Sequence, residues 1–206
     1  VSKAGTTVEF LPESDKTGLD SLYTHDPAVV TNRGVILCNM GKDTRQREPG
    51  AVEDYCNQNE LPILGKITPP GTLEGGDVLW IDEKTVTVGE GYRTNREGIR
   101  QFRELLGDGV NEVIPVPLPH WTGPTDCLHL LSNVSPVDID LYAVYSPLLT
   151  VPFRNYLLKN GIQLIEVPEE EYSTLGCNIL ALAPRKVIMV DGNPKVRSTL
   201  EKEGVE

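Results

Sequence analysis

Short apolar runs recur along the chain, each too brief for a helix and each bounded by turn-forming residues. Ala28–Thr31 and Gly34–Cys38 are two such runs joined by Asn32-Arg33, which predicts a β-hairpin. Glu48–Asn59 then predicts a helix and Ile63–Gly65 a strand. The same order returns with strands at Val78–Ile81 and Thr85–Val88 across Asp82-Glu83-Lys84. A helix follows from the capping box Thr94-Asn95-Arg96-Glu97 to Leu106, and a strand at Val113–Val116. A third pass reads Leu128–Ser132, Leu141–Tyr145, a helix near Val151–Asn160 and Leu164–Val167. A fourth reads Ile179–Ala183, Val187–Val190 and a helix near Pro194–Lys202.

Each pass is strand-strand-helix-strand, and the fourth stops before its last strand. The polar residues opening the passes are Asp26, Asp77, His129 and Cys177, spaced by about fifty residues. One such unit cannot bury its own sheet, so the repeat predicts modules packed around an axis or along a stack. The alternative is a single mixed α/β sheet whose spacing is coincidence.

The 206 residues suffice for one domain or two small ones, and a chain running from Val1 to Glu206 reads as cut at both ends. A net charge of −11 argues against a nucleic-acid or anionic-membrane partner and suits a cationic ligand, although acidity also serves solubility alone. No apolar run is long enough to span a bilayer and no signal-peptide pattern opens the chain. Cys38, Cys56, Cys127 and Cys177 are widely spaced, which argues against a zinc ribbon or a redox pair and leaves a reduced, cytoplasmic setting as the default. No phosphate-loop, dinucleotide, zinc-protease or serine-hydrolase motif is present.

The candidate chemistry lies at module entrances. Glu74-Gly75-Gly76-Asp77 couples two carboxylates to a glycine bend, although a plain surface turn has the same composition. Asp20 and Tyr23-Thr24-His25-Asp26-Pro27 form a second polar cluster, alternatively a strand-entry turn. Arg45 and Arg93 each precede a helix and could clamp a carboxylate, or merely solvate the surface. His129 sits in an apolar stretch where a packed core histidine is the simpler reading, while His120 reads as a loop residue. Cys177 reads as a structural thiol.

Leu19–Pro27, Gly71–Asp77, Gly89–Asn95 and Leu128-His129-Leu130 resemble, in order, the motifs of dimethylargininases within the guanidine-modifying superfamily, which also holds arginine deiminases and amidinotransferases. The resemblance runs from about residue 8 to 206. It implies a five-bladed α/β propeller of ββαβ modules around a central channel, one domain over residues 1–206, of which this chain supplies about four modules. It further implies hydrolysis of arginine or a methylated arginine through a cysteine thiouronium intermediate, with no metal and no organic cofactor. Asp26 and Glu74 would hold the guanidinium and His129 would act as acid and then base. Asp20, His25, Arg45, Asp77 and Arg93 would bind the substrate, with Asp20 at the α-amino group, the arginines at the carboxylate and His25 at the guanidinium. The implied partner is a small cationic guanidino substrate, with a homodimer as an option. The family nucleophile belongs to the next module, about twenty residues past Glu206 by one more period. Leu131 stands where arginine deiminases carry Asp, which favours dimethylargininases, whereas His25 stands where those carry Glu. An amidinotransferase, an arginine dihydrolase and a non-catalytic module that binds cationic amino acids remain the alternatives.

Overall fold

In the second and third modules the second strand is the one buried on both faces. In the computed structural model, which describes residues 5, 7–126 and 128–206, every residue of Leu141–Val144 is buried, as are Val86, Thr87, Val88 and Gly89. Such a strand carries branched and apolar residues without alternation because no face meets water. Around these strands the described residues form four separate small sheets, not one mixed sheet.

In the first, β1 (Ala28–Thr31) pairs antiparallel with β2 (Gly34–Leu37), α1 (Glu48–Gln58) crosses over, and β3 (Ile63–Lys66) returns parallel to β2. The second repeats this with β4 (Val78–Trp80), β5 (Thr85–Glu90), α2 (Arg96–Leu106) and β6 (Glu112–Pro117). The third has β7 (Val134–Asp138), β8 (Leu141–Val144), α3 (Val151–Lys159) and β9 (Gln163–Glu166), followed by the short α4 (Glu169–Tyr172). The fourth has β10 (Ile179–Ala183), β11 (Lys186–Met189) and α5 (Pro194–Lys202). Beside β11, Glu206 donates its N–H to the Arg185 carbonyl at 2.8 Å and accepts from Val187 N–H at 2.9 Å, which starts a parallel pairing like those of the other modules.

The chain divides into two compact units, Glu9–Pro117 and one whose body is Leu118–Glu206. In the first, Ile36, Leu73, Val86, Val88 and Phe102 form the heart of the core. In the second, Val137, Leu141, Ile165, Cys177 and Leu200 do so. Among the described residues no helix is long and apolar enough to cross a membrane.

Two expectations are corrected. The strand expected at Leu128–Ser132 lies instead at Val134–Asp138, while Leu130–Ser132 form a 3-10 turn. Pro136 fits this strand because β7 stands at the edge of its three-stranded sheet, where a missing N–H is tolerated. The cap of α2 is Asn95 and not Thr94: Asn95 Oδ1 accepts Gly98 N–H at 2.8 Å, while the Thr94 hydroxyl accepts Glu74 N–H at 3.1 Å. Cys127 lies outside the described residues.

Candidate functional site

The turn carrying Glu74 and the turn carrying Asp26 touch through their backbones. Gly75 N–H donates to the Asp26 carbonyl at 2.8 Å, and Gly76 N–H donates to Asp26 Oδ1 at 3.1 Å. Glycine is required for this approach, since a Cβ on Gly75 would fall 2.0 Å from the His25 carbonyl oxygen. Gly41 answers a similar need, because its Cβ would fall 2.3 Å from the Arg93 carbonyl oxygen.

Asp26 and Glu74 are both buried, and both are held by charged or backbone donors. Asp26 Oδ2 accepts from Arg45 Nη1 at 2.6 Å. Glu74 Oε2 accepts from Arg93 Nη1 at 3.2 Å, and Oε1 from the backbone N–H of Lys42 at 3.0 Å. Buried carboxylates stay in place only with such partners. Arg45 also donates from Nε to both Glu48 oxygens at 3.0 Å, and from Nη2 to Glu48 Oε2 at 2.7 Å and the Tyr23 carbonyl at 3.2 Å. Burial opposes its charge, but the bonds to Glu48 and Asp26 outweigh that and raise its pKa. One N–H of Nη1 is left over, so in this arrangement Arg45 can give a ligand one hydrogen bond and not a two-pronged contact.

The other expected residues are placed as follows. Asp77 ends the Gly75–Asp77 turn and is fully buried. Asp20 is half-exposed and its carboxylate accepts from Lys42 Nζ at 2.6 Å, a bond that lowers its pKa. His25 is exposed. His129 belongs to the other unit, where it is buried, stands directly before the Leu130–Ser132 turn, and donates its N–H to Ser132 Oγ at 3.2 Å. His120 lies in a loop, its carbonyl accepting from Gly123 N–H at 2.9 Å.

Lys42 and Glu48 were not singled out from the sequence. Arg45-x-x-Glu48 places opposite charges three residues apart, a signal that could have found Glu48. Lys42 follows Gly41 with no comparable signature.

The three described cysteines are buried. Burial pushes the Cys177 thiol up to about 12. It pushes Cys38 well above the usual range, with Glu74 and Asp26 adding to the effect. Neither is primed as a thiolate.

Residues 20–152 match the arginine deiminase family. The chain belongs to the guanidine-modifying superfamily. Within that superfamily it is 30% identical to a dimethylarginine dimethylaminohydrolase of Streptomyces coelicolor over 97% of this chain and 70% of the relative. It is also 30% identical to an uncharacterized Bacillus subtilis protein, covering 96% of this chain and 65% of that one. The structure of the Pseudomonas aeruginosa dimethylarginine dimethylaminohydrolase, solved as a cysteine-to-serine mutant with citrulline, superimposes with a TM-score of 0.75 at 26% identity, covering 90% of this chain and 67% of that one. The chain thus spans about two thirds of the length of these superfamily members.

Proposed function

We propose that the chain carries the guanidinium-binding carboxylates and the acid–base histidine of a hydrolase acting on arginine or a methylated arginine. The observation that carries this reading is the pair of buried carboxylates, Asp26 and Glu74, each fixed by an arginine and a backbone N–H. A guanidinium is a poor electrophile because resonance spreads its charge. Charge-assisted bonds from Asp26 and Glu74 would hold its N–H groups and turn its carbon towards an attacking thiolate. The sulfur bonds to that carbon, His129 gives a proton to the departing amine, and the C–N bond breaks. His129 then takes a proton from water, whose oxygen adds to the thiouronium carbon and expels the thiolate, leaving citrulline. The reading requires a thiolate other than those of Cys38, Cys56 and Cys177. Asp20 would take the α-ammonium, and the four modules would form part of a five-bladed propeller around the channel that receives the substrate.

The test offers arginine, methylarginines and agmatine to the full-length protein and identifies products by mass spectrometry. Citrulline supports the reading, whereas ornithine indicates a dihydrolase and guanidino transfer to an amine indicates a transferase. Binding without turnover indicates a non-catalytic module. His129→Ala should lower kcat by roughly 10²–10⁴-fold and change KM little. An unchanged kcat would return His129 to a packing role.

A further inference from the structure

We propose that Tyr172 is a positioning residue that aims the imidazole of His129 through Asn133. The inference rests on the guanidine reading above, which makes His129 the acid and base, and adds to it a residue from the far end of the third module. His129 and the turn after it move as one piece. His129 N–H donates to Ser132 Oγ at 3.2 Å, Ser132 N–H to the His129 carbonyl at 3.1 Å, and Asn133 N–H to the Leu130 carbonyl at 3.0 Å. The tilt of that piece is decided at Asn133, where the chain enters β7. Asn133 is fully buried and held twice. Its carbonyl accepts from Tyr145 N–H at 2.9 Å, and its Oδ1 accepts from the Tyr172 hydroxyl at 2.8 Å, 39 residues along the chain. Among the described residues the phenol is the only side-chain partner of that amide.

Tyr172 is itself braced. Its ring stacks on Tyr145 at 3.9 Å, and Trp121 meets it edge-on at 5.8 Å, so it touches the chain on both sides of His129. Burial pushes its phenol above the usual range, so the hydroxyl stays protonated and remains a donor through neutral pH. A 3-10 turn rises about 2 Å per residue, so a tilt of about 10° at Asn133 carries His129 by about 1 Å. A misplacement of about 1 Å can cost about 100-fold in rate. Removing the hydroxyl frees that tilt and leaves Asn133 Oδ1 buried without a donor.

The experiment compares full-length wild type with Tyr172→Phe, Asn133→Ala, their double variant and Ile165→Val, a core shortening in the same unit that leaves the turn alone. Tyr172→Phe should lower kcat about tenfold and change KM by less than about twofold. The double variant should be no slower than Asn133→Ala, because the hydroxyl then has nothing to hold. Ile165→Val should lower the urea midpoint and leave kcat unchanged. A Tyr172→Phe protein with a lowered midpoint and wild-type kcat would reduce the tyrosine to packing, and additive losses would show that it does not act through Asn133. The double variant carries no orphaned acceptor, so it serves where Tyr172→Phe alone does not fold, and wild-type kcat there overturns the role. If wild type turns over no guanidino compound, the guanidine reading falls, and the imidazole nitrogen spectrum of His129 decides the positioning by itself. Tyr172→Phe should shift or broaden those signals and Ile165→Val should not, whereas signals unmoved by Tyr172→Phe would overturn the proposal.

Discussion

At Arg45 two carboxylates and one carbonyl share a single buried guanidinium. The residue therefore does two things at once, fixing Asp26 at the site and joining it to the start of α1 through Glu48. Arg45→Met should leave two buried carboxylates without their cation and cost about 3–5 kcal/mol, read as a lower urea midpoint. Arg45→Lys should recover only part of this, because an ammonium cannot reach Asp26, Glu48 and the Tyr23 carbonyl together. A midpoint within error of wild type for Arg45→Met would show that the network contributes nothing to the fold. At this scale the sequence shows which polar residues stand at module entrances, and Asp26, Glu74, Arg45 and Arg93 do meet in one bonded network. It does not show which acceptor each guanidinium takes, because Asp26 and Glu74 lie 19 residues from their arginines, beyond any local spacing rule.

Among the elements, the short turns ahead of the strands reset the register of the repeat. Glu74 stands directly before the 3-10 turn Gly75–Asp77, and His129 directly before the 3-10 turn Leu130–Ser132. The counterpart of His129 is thus Glu74, whereas polar spacing alone pairs it with Asp77. The apolar run Leu128–Leu131 hid this, since a buried turn and a buried strand carry the same residues and periodicity cannot separate them. The helices were more legible: α5 spans the expected Pro194–Lys202, with proline at its start. Asn95 ties α2 to the preceding loop, accepting from Gly98 N–H and Thr72 N–H and donating to the Pro70 carbonyl. Asn95→Ala should cost about 1–2 kcal/mol, at the upper end for a lost cap, while Thr94→Val should leave α2 capped and weaken the Glu74 turn instead. Amide exchange at Gly98 and at Glu74 separates the two effects, and equal protection loss at both positions in both variants would refute this division.

Over the whole molecule the buried thiols make stability depend on alkalinity. Cys177 ionises near 12 in the fold against an ordinary value of 9.0, and Cys38 is shifted the same way. Between those values the unfolded chain gives up a proton that the folded chain keeps. The stabilisation is complete below about pH 8 and is lost as pH rises towards the folded value, by up to about 1.4 kcal/mol per pH unit for Cys177. Urea midpoints should fall from pH 8 to 10.5, less steeply in Cys177→Ala, and parallel slopes would remove this thiol from the account. The division into repeated modules was legible from the sequence because each module restates the same strand and helix pattern. Which turns of successive modules touch was not, because no single module carries that information. The repeat has one more effect. Apart from the Asn39–Leu73 bridge, no described strand finds its ladder partner outside its own module. A ribosome therefore has to release only one module before the ladders of its described strands can form, and none of these strands waits for a ladder partner from a later module.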